Sequence, residues 1–137
     1  MEGSALLIVD AANVVGARPD GWWRDRAGAV RRLLTALSGG LAGDAWHVVV
    51  VLEGAARKGA DEGAFDGLQV VHASGSGDDA IVDIVADASA TGDSRPVTVV
   101  TADRGLRERV RALGAETMGP RALWARLDGT ADRAEEP

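Results

Sequence analysis

The sequence predicts an α/β protein, a three-layer sandwich with a mainly parallel five-stranded sheet between helices. Three observations lead there. Short runs of Val, Ile and Leu, such as LLIV at 6–9 and VVVVL at 48–52, have the near-continuous apolar character of strands buried on both faces. Segments of helical periodicity alternate with them. Glycine and polar clusters separate the two kinds of segment. Right-handed crossovers then produce a doubly wound sandwich, whose ligands sit outside the strand carboxyl ends where the strand order reverses.

Residues 5–10, ALLIVD, read as the first strand, and Asn13, Val14 and Gly16 after it read as a loop. A helix is expected over 22–38, with Ala29, Val30, Leu33, Leu34 and Leu37 on one face and Gly39–Gly40 as its stop. Residues 46–53, WHVVVVLE, form the second strand. Residues 54–67 are polar and glycine-rich, which suits a loop. The third strand is LQVVHA, 68–73, followed by a turn at SGSG and a helix over 78–90. PVTVVT, 96–101, is the fourth strand and 103–113 the next helix, ended by Gly114. AETM, 115–118, is a short fifth strand before a last helix at 120–128. One domain is expected over 1–128, with 129–137 a polar, frayed tail.

Composition narrows the chemistry. The 137 residues include no cysteine, which excludes disulfides, thiolate zinc sites and a cysteine nucleophile. The opening MEGSALLIVD lacks a signal-peptide pattern, and no apolar run approaches the ~20 residues of a membrane helix. A cytoplasmic protein with no membrane partner is expected. The net charge of −6 opposes nonspecific nucleic-acid binding, although cations held by clustered carboxylates would reverse the local sign. Basic residues are 14 Arg against one Lys, Lys58, and Arg offers the bidentate fork that suits phosphate.

Acids recur at the strand ends. Asp10 closes strand one, Glu53 closes strand two, Asp78 and Asp79 open the helix after strand three, and Asp103 follows strand four. Each has an alternative role: Asp103 and Asp78 also suit helix caps, and Glu53 a solvated strand terminus. Asp10 is hardest to assign to structure alone, because a lone charge after five apolar residues is costly to bury. Asp79, Asp83 and Asp87 share a helix face opposite Ile81, Ile84 and Val85, so a solvated ridge is the other reading for them. Periodicity does not choose between Asp78 and Asp79. Such a carboxylate set suits Mg²⁺ or Mn²⁺, which polarise phosphoryl groups and activate water. His47 and His72 lie in strands and read as structural. No GxSxG or P-loop ending is present. A haloacid-dehalogenase-like phosphatase or a receiver domain would need acids and a late lysine that the chain lacks.

The segments LLIVDAANVVG, VVVVLEGAARKG, SGSGDDAIVDIV and VTVVTADRGLRERVRALGAETMGPRAL together resemble the YacP-like branch of the NYN domains, within the PIN-like nuclease superfamily. The resemblance spans roughly residues 5–128 and implies a PIN-like sandwich with a metal-dependent ribonuclease site. By position, Asp10, Asn13, Asp79 and Asp103 match its catalytic residues. Asp10, Asp79, Asp83 and Asp103 match its acids for Mg²⁺ or Mn²⁺, which favours Asp79 over Asp78. RNA is the implied partner, and a homodimer or an association with RNA-processing or translation machinery fits the same reading. Arg104, Arg18 and Arg24 are the expected contacts to substrate phosphate, with Trp22, Trp23 and Arg26 nearby to stack bases or to pack the first helix. The alternative is a catalytically inactive RNA- or partner-binding module on the same fold.

Overall fold

In the computed structural model, which describes residues 5–18, 21–40, 46–65, 67–90 and 95–135, the chain forms an α/β sandwich. In chain order the elements are β1 (Leu6–Asp10), α1 (Ala11–Gly16), α2 (Arg26–Gly40), β2 (His47–Leu52), β3 (Gly63–Phe65), β4 (Leu68–His72), α3 (Gly77–Ala90), β5 (Val97–Val100), α4 (Arg104–Ala112), β6 (Glu116–Met118) and α5 (Pro120–Glu135). Short 3₁₀ segments at Trp22–Arg24 and Gly54–Gly59 complete them.

The sheet order is β3-β4-β2-β1-β5-β6. Every pairing is parallel except β3 with β4. The chain builds outward from β1 through β2 to β4, then returns to place β5 on the other side of β1. The strand order therefore reverses between β1 and β5, which puts a crevice at their carboxyl ends. Alternate residues of β1 serve the two faces. Leu7 and Val9 join the α1, α2 and α5 side with Val14, Leu33, Leu37 and Leu123. Leu6 and Ile8 join the α3 and α4 side with Ile81, Val85, Leu106 and Val110. Strands wholly covered on both faces need the unbroken apolar runs seen in the sequence.

Four expectations change. There are six strands among the described residues, not five, because residues 54–67 hold a 3₁₀ segment and the antiparallel edge strand β3. Gly63 and Gly67, at φ 122° and 85°, permit that reversal. Residues 11–16 are helix rather than loop, since coiling there buries Ala11, Val14 and Val15. The helix expected from residue 22 starts at Arg26: Gly21 is left-handed at φ 81°, and the Asp25 carboxylate accepts from the Gly28 N–H at 2.9 Å, capping the helix. The last helix runs on to Glu135, through residues expected to fray.

Candidate active site

Asp10 ends the central strand and is only 3% exposed. Its Oδ2 accepts from Asn13 Nδ2 at 2.7 Å and from Thr101 Oγ1 at 2.9 Å. Asn13 is held by α1, one turn beyond Asp10, and its Oδ1 accepts from the Ala102 N–H at 3.2 Å. Thr101 Oγ1 in turn accepts from the Asp103 N–H at 3.1 Å, and the Thr101 carbonyl accepts from Arg107 Nε at 3.0 Å. Asp103 caps α4 by accepting from the Leu106 N–H at 2.8 Å. The ends of β1 and β5 are thus tied across the switch point by polar groups that satisfy one another.

Burial is the main force raising the Asp10 pKa. Hydrogen bonds from Thr101 and Asn13 oppose it, and the charge of Asp78 adds to it. Asp78 is also raised, first by burial and then by repulsion from Asp103 and Glu53, with Arg109 pulling the other way. Asp78 therefore senses Asp10, Asp103 and Glu53 around one notch, and more weakly its neighbour Asp79. Glu53 Oε1 accepts from the Gly77 N–H at 3.0 Å, which fastens the start of α3 to the end of β2. A Cβ at residue 77 would collide with that oxygen and displace the Glu53 carboxylate from this contact.

Other expected residues lie elsewhere. Asp79 is exposed and pairs with Arg109 at 3.0 Å. Asp79 and Asp83 line an outer groove with His72 and Ser76. The structure thus brings Asp78 to the notch in place of Asp79 and Asp83. The physical reason is the roll of α3, set by burial of Ile81 and Val85. Asp78 stands three residues before Ile81 and seven before Val85, at the head of that buried stripe. That spacing was the available signal. Arg18 is turned from substrate to structure: both Asp128 oxygens accept from its Nη2, at 2.9 and 2.8 Å, and its guanidinium lies 4.1 Å from the Trp124 ring centroid. Arg104 is exposed at the first position of α4, beside Asp103, and Arg24 is exposed near Trp23. Thr101 was missed as a site residue, although a polar residue closing an apolar strand just before Asp103 marks it. His72 Nε2 contacts the Ala60 carbonyl at 2.8 Å, and His47 is exposed at the start of β2, so neither belongs to the notch.

The donors at the notch are hard oxygens, which suit a divalent cation of the Mg²⁺ type. Among the described residues no three acids stand together at the spacing of a complete metal cage. An ion of this kind is commonly held by one or two carboxylates together with substrate phosphate and water, and the mutual repulsion of these acids is what a cation relieves.

The fold defines the class: an α/β sandwich with a mostly parallel sheet, consistent with the PIN-like architecture. The chain belongs to the YacP-like NYN domain family, whose model matches residues 7–136. Families of this type are RNA-related and generally use divalent metals. The chain is similar in fold to two crystal structures of Rae1 (YacP) from Bacillus subtilis. One superposes at TM-score 0.77 and 21% identity, covering 95% of this chain and 77% of that one. The W164L mutant superposes at TM-score 0.79 and 18% identity, covering 96% and 79%. No curated protein matches the sequence.

Proposed function

We propose that the protein is a divalent-metal-dependent ribonuclease that hydrolyses RNA phosphodiester bonds at the β1–β5 notch. The observation that carries this reading is Asp10, a carboxylate buried at the switch point against its own solvation and within reach of the charge of Asp78. One or two of Asp10, Asp78 and Asp103 would hold Mg²⁺ or Mn²⁺, with substrate phosphate and water completing its shell. Such an ion supplies Lewis-acid activation of a phosphoryl oxygen and of water at neutral pH. Asn13 and Thr101 keep the Asp10 carboxylate in one orientation, with Oδ2 engaged by both. Arg104, exposed beside Asp103, is placed to meet a substrate phosphate. The chemistry requires no histidine.

The test is cleavage of structured and unstructured RNA with Mn²⁺ and with chelator, by the parent and by Asp10→Asn. The parent cuts only with metal, and the variant loses cutting while staying folded. Equal cleavage by both would place the chemistry elsewhere.

The second reading is a module that binds RNA or a partner without turnover. What favours it is that no complete three-acid cage is present among the described residues. Calorimetric titration with Mn²⁺ separates the two, since this reading requires no binding that depends on Asp10.

A further inference from the structure

A cleft of about 350 Å³ opens between α1, the start of α2 and the 3₁₀ segment after β2. Ala11, Val15, Trp22 and Val30 line it with apolar surface, and Arg26 and Glu53 add one charge of each sign. Its size falls at the small end of the range for small-ligand clefts. Two facts join it to the acid notch. Ala11 directly follows Asp10, and Glu53 both lines the cleft and repels Asp78.

The rim carries aromatic rings beside cations. Trp23 is 55% exposed, one of only two large exposed apolar side chains among the described residues. Its ring stands at 90° to that of Trp22 with centroids 6.0 Å apart. The Arg26 guanidinium lies 5.5 Å from the Trp22 centroid, and that of Arg24 lies 5.9 Å from Trp23. Packing accounts for Trp22, which lies against the core beside α1 and α2, but an indole held in water beside arginines is not explained by a core. Rings for base faces and arginines for phosphates are the features that recognise single-stranded nucleic acid. A duplex keeps its bases paired and stacked, so none could enter the cleft without first being unstacked.

We propose that this cleft seats one unstacked base of single-stranded RNA against Trp22. The neighbouring base stacks on Trp23, Arg24 and Arg26 meet the linking phosphates, and the strand is led past Asp10. Only the last clause rests on the ribonuclease reading, because binding needs neither metal nor turnover.

The test is fluorescence anisotropy of a labelled single-stranded RNA octamer in excess chelator. The proteins are the parent, Trp22→Leu, which keeps apolar packing without a stacking face, and Trp23→Ala, which alters an exposed side chain. Each substitution is expected to weaken binding roughly ten-fold, as loss of one stacked base does. An octamer with one abasic position, scanned along its length, should bind the parent about ten-fold more weakly at one register. At that register it should bind Trp22→Leu no more weakly than the intact octamer does. The duplex of the same sequence should bind at least ~10-fold more weakly than the single strand. Thermal melts show that each variant is folded. Parent-like binding by both folded variants, or equal binding of duplex and single strand, overturns the proposal. No RNA binding by the folded parent overturns it too, and leaves the cleft to a protein segment. If the binding pattern appears without metal-dependent cleavage, the base seat stands and the ribonuclease reading falls.

Discussion

Asp10 occupies a position where keeping a carboxylate charged works against the fold. Burial raises its pKa, the Asp78 charge adds to that, and the hydrogen bonds of Thr101 and Asn13 offset only part. An acid whose folded pKa lies above its unfolded value favours the folded state at low pH, and that contribution is lost as pH rises through the folded value. Asp10→Asn removes this charge and should raise stability at pH 7 by ~1 kcal/mol, or roughly 4 °C in Tm. The gain should shrink as pH falls through the raised folded-state pKa of Asp10, where the parent carboxyl also becomes neutral. Melts across that range check both statements. Thr101→Val should act in the opposite direction. It strips a donor from Asp10 and an acceptor from the Asp103 N–H, at a cost of about 1–3 kcal/mol. Thr101→Ser should restore most of it, as denaturant titration can show. Asp10 and Asp103 were legible at the rim because strand ends dictate where they stand, whereas Asn13 was marked only by the family resemblance, its segment having the look of a loop. Asp78 was less legible, since the roll of α3 is decided by what Ile81 and Val85 bury. Arg18 was illegible because its partner, Asp128, lies 110 residues away.

At the level of elements, the strands announced themselves by continuous apolar runs, and the helices by their stripes. Short elements did not. Three residues of β3 carry too little pattern to detect, and α1 is a helix because docking buries Val14 and Val15. The 3₁₀ segment after β2 packs on α2 through Gly59, where a Cβ would collide with the Val30 side chain and crowd the Ala27 carbonyl. Gly59→Ala should therefore destabilise by about 1–3 kcal/mol, read by chemical denaturation. It should also disturb the cleft that this segment lines. The Arg18–Asp128 pair joins the turn after α1 to α5 at a solvated position, with side chains 36% and 57% exposed. Solvent screening limits the pair to about 1 kcal/mol or less. Arg18→Ala should lower Tm slightly and leave metal-dependent RNA cleavage unchanged, whereas Arg104→Ala should weaken cleavage with little effect on Tm.

Over the whole molecule, the proposed ribonuclease activity requires an acidic chain to meet a polyanion. The net charge is −6, yet the reversal of strand order gathers acids at one notch and leaves arginines and tryptophans beside it. A cation bound there would invert the local sign. Mn²⁺ at a hundred times its dissociation constant should stabilise the parent by about 2.7 kcal/mol and give Asp10→Asn little or nothing. No helix among the described residues is long and apolar enough to cross a membrane. The neighbouring acids Asp78 and Asp79 give the sharpest contrast, because one faces the notch and the other pairs with Arg109. RNA cleavage in Mn²⁺ should be compared for the parent, Asp78→Asn and Asp79→Asn. Loss with Asp78→Asn and retention with Asp79→Asn are expected. Loss with Asp79→Asn and retention with Asp78→Asn, or no metal-dependent cleavage by the parent, would contradict the notch as the seat of the chemistry.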